Sequence, residues 1–119
     1  MDDRRLLGNR GEHDAEEFLF GLGYKTIERQ WRSPFGEIDL ICLAPKENEI
    51  VFVEVKTRQS LEGGYPEESV TAKKLRHMEA AAECFLRERT WENRPYRFDV
   101  IAITEVWPNP PEIQHLVGV

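Results

Sequence analysis

The sequence predicts a single α/β domain in the order αβββαβ with a short final strand, built as a mixed sheet with helices packed on it. Three observations carry that prediction. Two stretches place apolar residues at three- and four-residue steps, the spacing of a helix with one buried face. Between them stand three strand-like segments joined by short turns, which favours an antiparallel meander. The second helical stretch then leads to a fourth strand, and a strand reached through a helix lies parallel to its neighbour. A chain of 119 residues is long enough for one domain with its own core.

Leu7, Gly11, Ala15, Phe18 and Leu22 form the stripe of a first helix over residues 4–22, and Gly23 ends it as a C-terminal glycine commonly does. Residues 24–32 read as the first strand and Ser33-Pro34-Phe35-Gly36 as a turn. The second strand runs from Glu37 to Leu43. Pro45-Lys46-Glu47-Asn48 connects it to a third, Ile50 to Thr57, apolar enough to be central. Gln59 to Glu68 is a loop carrying Glu62, Glu67 and Glu68 without a lysine or arginine. Ser69 or Thr71 caps a second helix running to Arg89, with Leu75, Met78, Ala82, Phe85 and Leu86 facing the sheet. Arg97 to Glu105 is the fourth strand. Pro108, Pro110 and Pro111 break the chain before a last one, Ile113 to Val117.

Composition narrows the classes. Forty per cent apolar and 10% aromatic residues fit a globular domain and exclude a disordered one. The opening residues turn polar by Gly8, without the apolar core of a signal peptide. No apolar run approaches the roughly 20 residues of a membrane helix. The expectation is a soluble cytoplasmic protein with no membrane partner. Cys42 and Cys84 lie in apolar patterns far apart and read as two buried free thiols. His13, His77 and His115 make no ligand spacing with them, which argues against structural zinc. The net charge of −6 argues against a general nucleic-acid coat, although a metal-dependent nuclease gathers carboxylates in its own site.

A charge inside an apolar strand is costly unless it is paired, hydrogen-bonded or bound to metal. Asp39, Glu54 and Lys56 are such charges. Side chains alternate along a strand, so Ile50, Phe52, Glu54 and Lys56 share one face, as do Glu37, Asp39 and Ile41 on the preceding strand. Antiparallel pairing can set Ile41 near Ile50 and Phe52 and bring Asp39 beside Glu54 and Lys56. Two carboxylates and the main-chain carbonyl of Val55 suit Mg²⁺ (or Mn²⁺), a hard cation that takes oxygen ligands. The metal would acidify a water and polarise a phosphoryl group, while the Lys56 ammonium orients the nucleophile or stabilises developing charge. The plainer alternative is an ion pair of Asp39 or Glu54 with Lys56 on a solvated sheet face, since Glu-x-Lys alone is weakly specific.

The strings Gly36-Glu37-Ile38-Asp39-Leu40-Ile41 and Val51-Phe52-Val53-Glu54-Val55-Lys56-Thr57-Arg58 resemble the YraN-type proteins, a widespread bacterial family. Gly11-Glu12-x-x-Ala15, Gly23-Tyr24, Lys73-x-x-Arg76 and Arg97-Phe98-Asp99-Val100 extend the resemblance over nearly the whole chain, in order. That family looks like a member of the restriction-endonuclease-like superfamily of PD-(D/E)xK nucleases, similar to the archaeal Holliday-junction resolvases. The resemblance implies a catalytic set in which Asp39 and Glu54 bind metal, Lys56 is the catalytic lysine and Glu12 completes the site from the first helix. The proline of the superfamily's name is absent, because Ile38 precedes Asp39. Catalysis does not follow from the fold alone, since members of this superfamily can lose it. The implied function is a metal-dependent endonuclease acting on DNA, with branched or repair intermediates in view. The alternative is a non-catalytic nucleic-acid-binding module on the same fold. Resolvase-like relatives act as dimers, so a homodimer is an option that no residue here fixes.

Other residues carry weaker readings. Glu12 is alternatively a surface acid paired with Arg5 or His13, and Glu37 either an outer carboxylate of the site or a solvated acid. Asp99 reads as a structural partner of its strand neighbours. Lys73, Lys74, Arg76 and His77 form a basic group at the start of the second helix. Lys73 and Arg76 are its expected nucleic-acid contacts, extended by Arg58 and Arg32. Trp31 and Phe35 read as core or turn packing rather than base-stacking groups.

Overall fold

A computed structural model describes residues 3–59 and 70–119, with side chains from residue 10 onward. The elements are α1 (Asp3–Gly21), β1 (Lys25–Ser33), β2 (Gly36–Leu43), β3 (Ile50–Arg58), α2 (Ala72–Glu88), β4 (Tyr96–Thr104) and β5 (Glu112–Leu116). The five strands form one sheet in sequence order, β1-β2-β3-β4-β5. β1–β2, β2–β3 and β4–β5 are antiparallel, and β3–β4 is parallel because α2 carries the chain back across the sheet between them. β3 is the central strand, as its apolar sequence requires. The expected order and mixed sheet are therefore present.

Each sheet face buries one helix. Leu40, Cys42, Val51, Val53, Ile101 and Ile103 pack with Ala15 and Leu19 of α1. Ile38, Ile41, Ile50, Phe52 and Phe98 pack with Met78, Ala81, Ala82, Phe85 and Leu86 of α2. The stripe of α2 is as its periodicity predicts. The stripe of α1 needs a correction at its end. Leu22 is exposed and Leu19 takes the buried place, because α1 stops at Gly21 and the chain reverses through Gly23 at φ +96°. The Tyr24 amide then bonds back to the Leu19 carbonyl at 3.0 Å.

Both cysteines are free, but only Cys42 is buried. Cys84 lies on the flank of α2 and is half-buried. The expected acidic loop beyond Gln59, Ser69, and the side chains of Arg5 and Leu7 lie outside what is described. Thr71 is the cap of α2, its side chain accepting the Lys74 amide at 3.1 Å. Among the described residues, no helix is long and apolar enough to cross a membrane.

Candidate metal centre

Asp39 stands on a rung where regular strand geometry fails. Arg29 pairs with Leu40 and Trp31 with Ile38, leaving Gln30 opposite Asp39 at φ +46°, a left-handed backbone that costs a non-glycine residue energy. The alternation of β2 slips at the same place. Ile38 and Ile41 both pack on the α2 side, while Leu40 between them packs on the α1 side. The single face expected for Glu37, Asp39 and Ile41 is therefore broken. Glu37 is exposed beside Arg32, 3.8 Å away, so it is a solvated acid.

On its other side the β2–β3 ladder ends at Leu40–Val53. The Val55 amide, beyond that last pair, donates instead to Asp39 Oδ2 at 2.7 Å. N–H and C=O of one strand residue point to the same side, so the Val55 carbonyl also faces the opening beside β2. Burial pushes the Asp39 carboxyl up to about 7. The Val55 hydrogen bond opposes that rise, and the nearby charges of Glu54 and Glu12 add to it. Glu12 also stands within hydrogen-bonding reach of Asp39, so a protonated Asp39 can donate to it.

Glu12 reaches Asp39 because α1 lies very close to the sheet at Gly11. A Cβ at Gly11 would meet Thr57 Oγ1 at 2.2 Å, so only glycine permits this approach. Gln30 Nε2 donates to Glu12 Oε2 at 2.7 Å. His13, the alternative partner, pairs with Glu17 instead. An open cavity of about 290 Å³ lies against Glu12, Gln30, Arg29 and Leu40 on this side.

Glu54 follows Val53 on β3 and is largely buried. Its partner is Lys74, whose Nζ lies 2.5 Å from Glu54 Oε1. The alternative ion pair with Lys56 is not formed. Lys56 is exposed near the end of β3 and makes no ion pair among the described residues. Lys73 and Arg76 are exposed on α2, and Arg58 is half-buried. From the basic group of α2, Lys74 is thus the residue on the acids. Helical phase carries the signal that identifies it. Lys74 precedes Met78 by one turn and Ala81 by two, which are buried, so it points toward the sheet where Lys73 and Arg76 do not.

The structure therefore brings Glu12, Asp39 and Glu54 to one end of the β2–β3 seam, with the Val55 backbone between them. As the side chains lie, no three His, Cys, Asp or Glu groups among the described residues stand close enough to hold a metal ion. The donor chemistry nevertheless suits one, because three carboxylates and a carbonyl are the hard oxygens that Mg²⁺ and Mn²⁺ take.

The remaining candidates are structural. Asp99 is fully buried, bound by Arg97, by His115 Nε2 at 2.7 Å and by the Gly118 amide at 3.0 Å. Arg97 also reaches the Tyr24 hydroxyl and Glu49. This network ties β4 and β5 to the segments preceding β1 and β3, as the structural reading of Asp99 expects. Trp31 packs edge-on against Phe85, with ring centroids 5.5 Å apart. Phe35 is exposed in the β1–β2 turn.

Comparison with known proteins finds relatives along nearly the whole chain. A UPF0102 protein of Caldicellulosiruptor saccharolyticus is 48% identical over 101 residues, covering 85% of this chain and 84% of the relative. One of Beutenbergia cavernae is 40% identical over 119 residues, covering 100% of this chain and 99% of the relative. One of Pelobacter propionicus is 41% identical over 116 residues, 98% of this chain and 83% of the relative. The model of the uncharacterised protein family UPF0102 matches residues 11–103, which include Glu12, Asp39, Glu54 and Lys74, and the chain belongs to that family.

Proposed function

We propose that the chain is a Mg²⁺- or Mn²⁺-dependent endonuclease of the restriction-endonuclease-like type, similar to the archaeal resolvases. It would act in the cytoplasm on DNA phosphodiesters, with branched repair or recombination intermediates as substrates. The observation that carries this reading is Asp39, a half-buried acid set against Glu54 and Glu12, whose carboxyl is pushed up to about 7. Carboxylates crowded in this way are relieved by a cation. Asp39, Glu54, Glu12 and the Val55 carbonyl would hold it. When bound, such an ion acidifies a water and polarises a phosphoryl oxygen.

The chain's own groups supply the rest. Lys56, exposed and on Glu54's face by strand alternation, orients the attacking water and offsets charge that develops on the phosphate. Gly11 holds Glu12 against the seam, and Gln30 fixes one of its oxygens. Lys73, Arg76 and Arg58 contact phosphates away from the reacting bond, which positions the nucleic acid without reading its sequence. The test is a panel of linear and branched DNAs incubated with Mg²⁺ and with Mn²⁺, using Asp39→Ala as control. Cleavage by the wild type and none by Asp39→Ala is expected; equal cleavage by both would overturn the reading.

One observation favours a second reading, a non-catalytic nucleic-acid-binding module. Each acid already has a donor from the protein: Val55 N–H for Asp39, Lys74 for Glu54 and Gln30 for Glu12. On this reading structured DNA binds with a salt-dependent affinity that falls when Lys73 and Arg76 are removed, and no metal supports cutting.

A further inference from the structure

Lys74 is a cation set on an acid that the proposed function needs for a metal. Its Nζ lies 2.5 Å from Glu54 Oε1, with the lysine side chain 35% exposed and the glutamate 15% exposed. The contact serves the metal-free protein well. Without it, Glu54 would face Asp39 as an unpaired like charge in a partly buried seam. A divalent cation at Glu54 reverses the balance, because it places two positive charges beside the ammonium.

The lysine is able to leave. Its backbone is fixed in the first turn of α2 by the Thr71 cap, while its charge sits on a flexible four-carbon stem. Its own surroundings then favour an anion, since the N-terminal end of α2 carries the positive end of the helix dipole. A phosphate drawn to a metal held by Glu54 would lie within the sweep of that stem. Lys73 and Arg76, exposed on the outer side of the same turns, have no such link to Glu54.

We propose that Lys74 is an exchangeable counter-ion, holding Glu54 in the metal-free protein and released by a divalent cation to bind a phosphate of the nucleic acid. The proposal rests on the metal-dependent reading of the site and adds a consequence to it. Metal and nucleic acid bind cooperatively through one lysine, and the coupling acts equally in both directions.

The experiment has two measurements on the intact chain. The first is calorimetric titration with Mn²⁺ alone. Lys74→Met and Lys74→Gln are expected to bind Mn²⁺ roughly two- to fivefold more tightly than wild type, the equivalent of one partly exposed ion pair. Lys74→Arg, which keeps the charge, and Lys73→Met, which lies off the site, are expected to match wild type. The second is affinity for a four-way DNA junction with and without Ca²⁺, another oxygen-seeking cation. Wild type is expected to gain affinity with Ca²⁺ and Lys74→Met to lose most of that gain. Unchanged Mn²⁺ affinity in both neutral variants, or a full Ca²⁺ gain in Lys74→Met, overturns the exchange and leaves the metal site standing. Undiminished Mn²⁺ binding by Asp39→Asn would overturn the metal site itself, and the exchange with it.

Discussion

Gly11 and Thr57 are packed so closely that the helix and the central strand leave no room for a methyl group between them. Gly11→Ala should destabilise the fold by about 1–3 kcal/mol, the usual cost of overpacking, despite alanine's better helix propensity. In a Thr57→Ala background the nearest neighbour becomes the residue 57 Cβ, at 3.5 Å, an ordinary contact. There the same substitution should be neutral or stabilising by up to about 1 kcal/mol. A double-mutant cycle by urea denaturation reads the coupling.

Asp39→Asn and Asp39→Ala should separate the residue's two roles. Asparagine keeps an oxygen for the Val55 amide, so the fold should hold while Mn²⁺ binding is lost. Alanine also strands that amide, at a cost of about 1–3 kcal/mol. Thermal denaturation of the two variants side by side, with Mn²⁺ titrations, checks both halves.

The raised pKa of Asp39 has a definite sign in stability. Its folded value of about 7 exceeds the ordinary 3.8, so the native protein holds a proton that the unfolded chain releases. This group's contribution is fully present below pH 4, declines as pH rises through the interval, and is lost above about 7. A bound divalent cation compensates the ionised form. Mn²⁺ should therefore raise the melting temperature more at pH 8 than at pH 5; an equal rise at both would contradict the assignment.

Asp99 is predicted to matter for stability and not for the metal site. Asp99→Ala leaves the Arg97 guanidinium partly buried and without its principal carboxylate partner, and should cost about 3–5 kcal/mol. Mn²⁺ affinity at a temperature where the variant is folded should equal that of wild type. Chemical denaturation and calorimetry together test this.

Much of the architecture was legible because its signals are local. Short turns set the meander, a helix between β3 and β4 set the parallel pair, and acids in otherwise apolar strands marked Asp39 and Glu54. The placement of Glu12 followed from a family resemblance rather than from periodicity, and Gly11 supplies its physical reason. Lys74 lay hidden in a basic run until helical phase distinguished it from Lys73 and Arg76. The slip at Asp39 was not legible at all. It depends on a left-handed Gln30 two strands away from Glu54, and nothing in a glutamine announces that conformation.

The bond that continues the β2–β3 seam past its last rung has a consequence for how the protein can be observed. Its donor is a main-chain amide, and its acceptor is a carboxylate that gains or loses charge near neutrality. The nitrogen-bound proton of Val55 is thus a spectroscopic witness placed inside the site. Its chemical shift and its exchange with deuterium should follow the charge on Asp39, and with it the arrival of a cation, before any substrate is chosen.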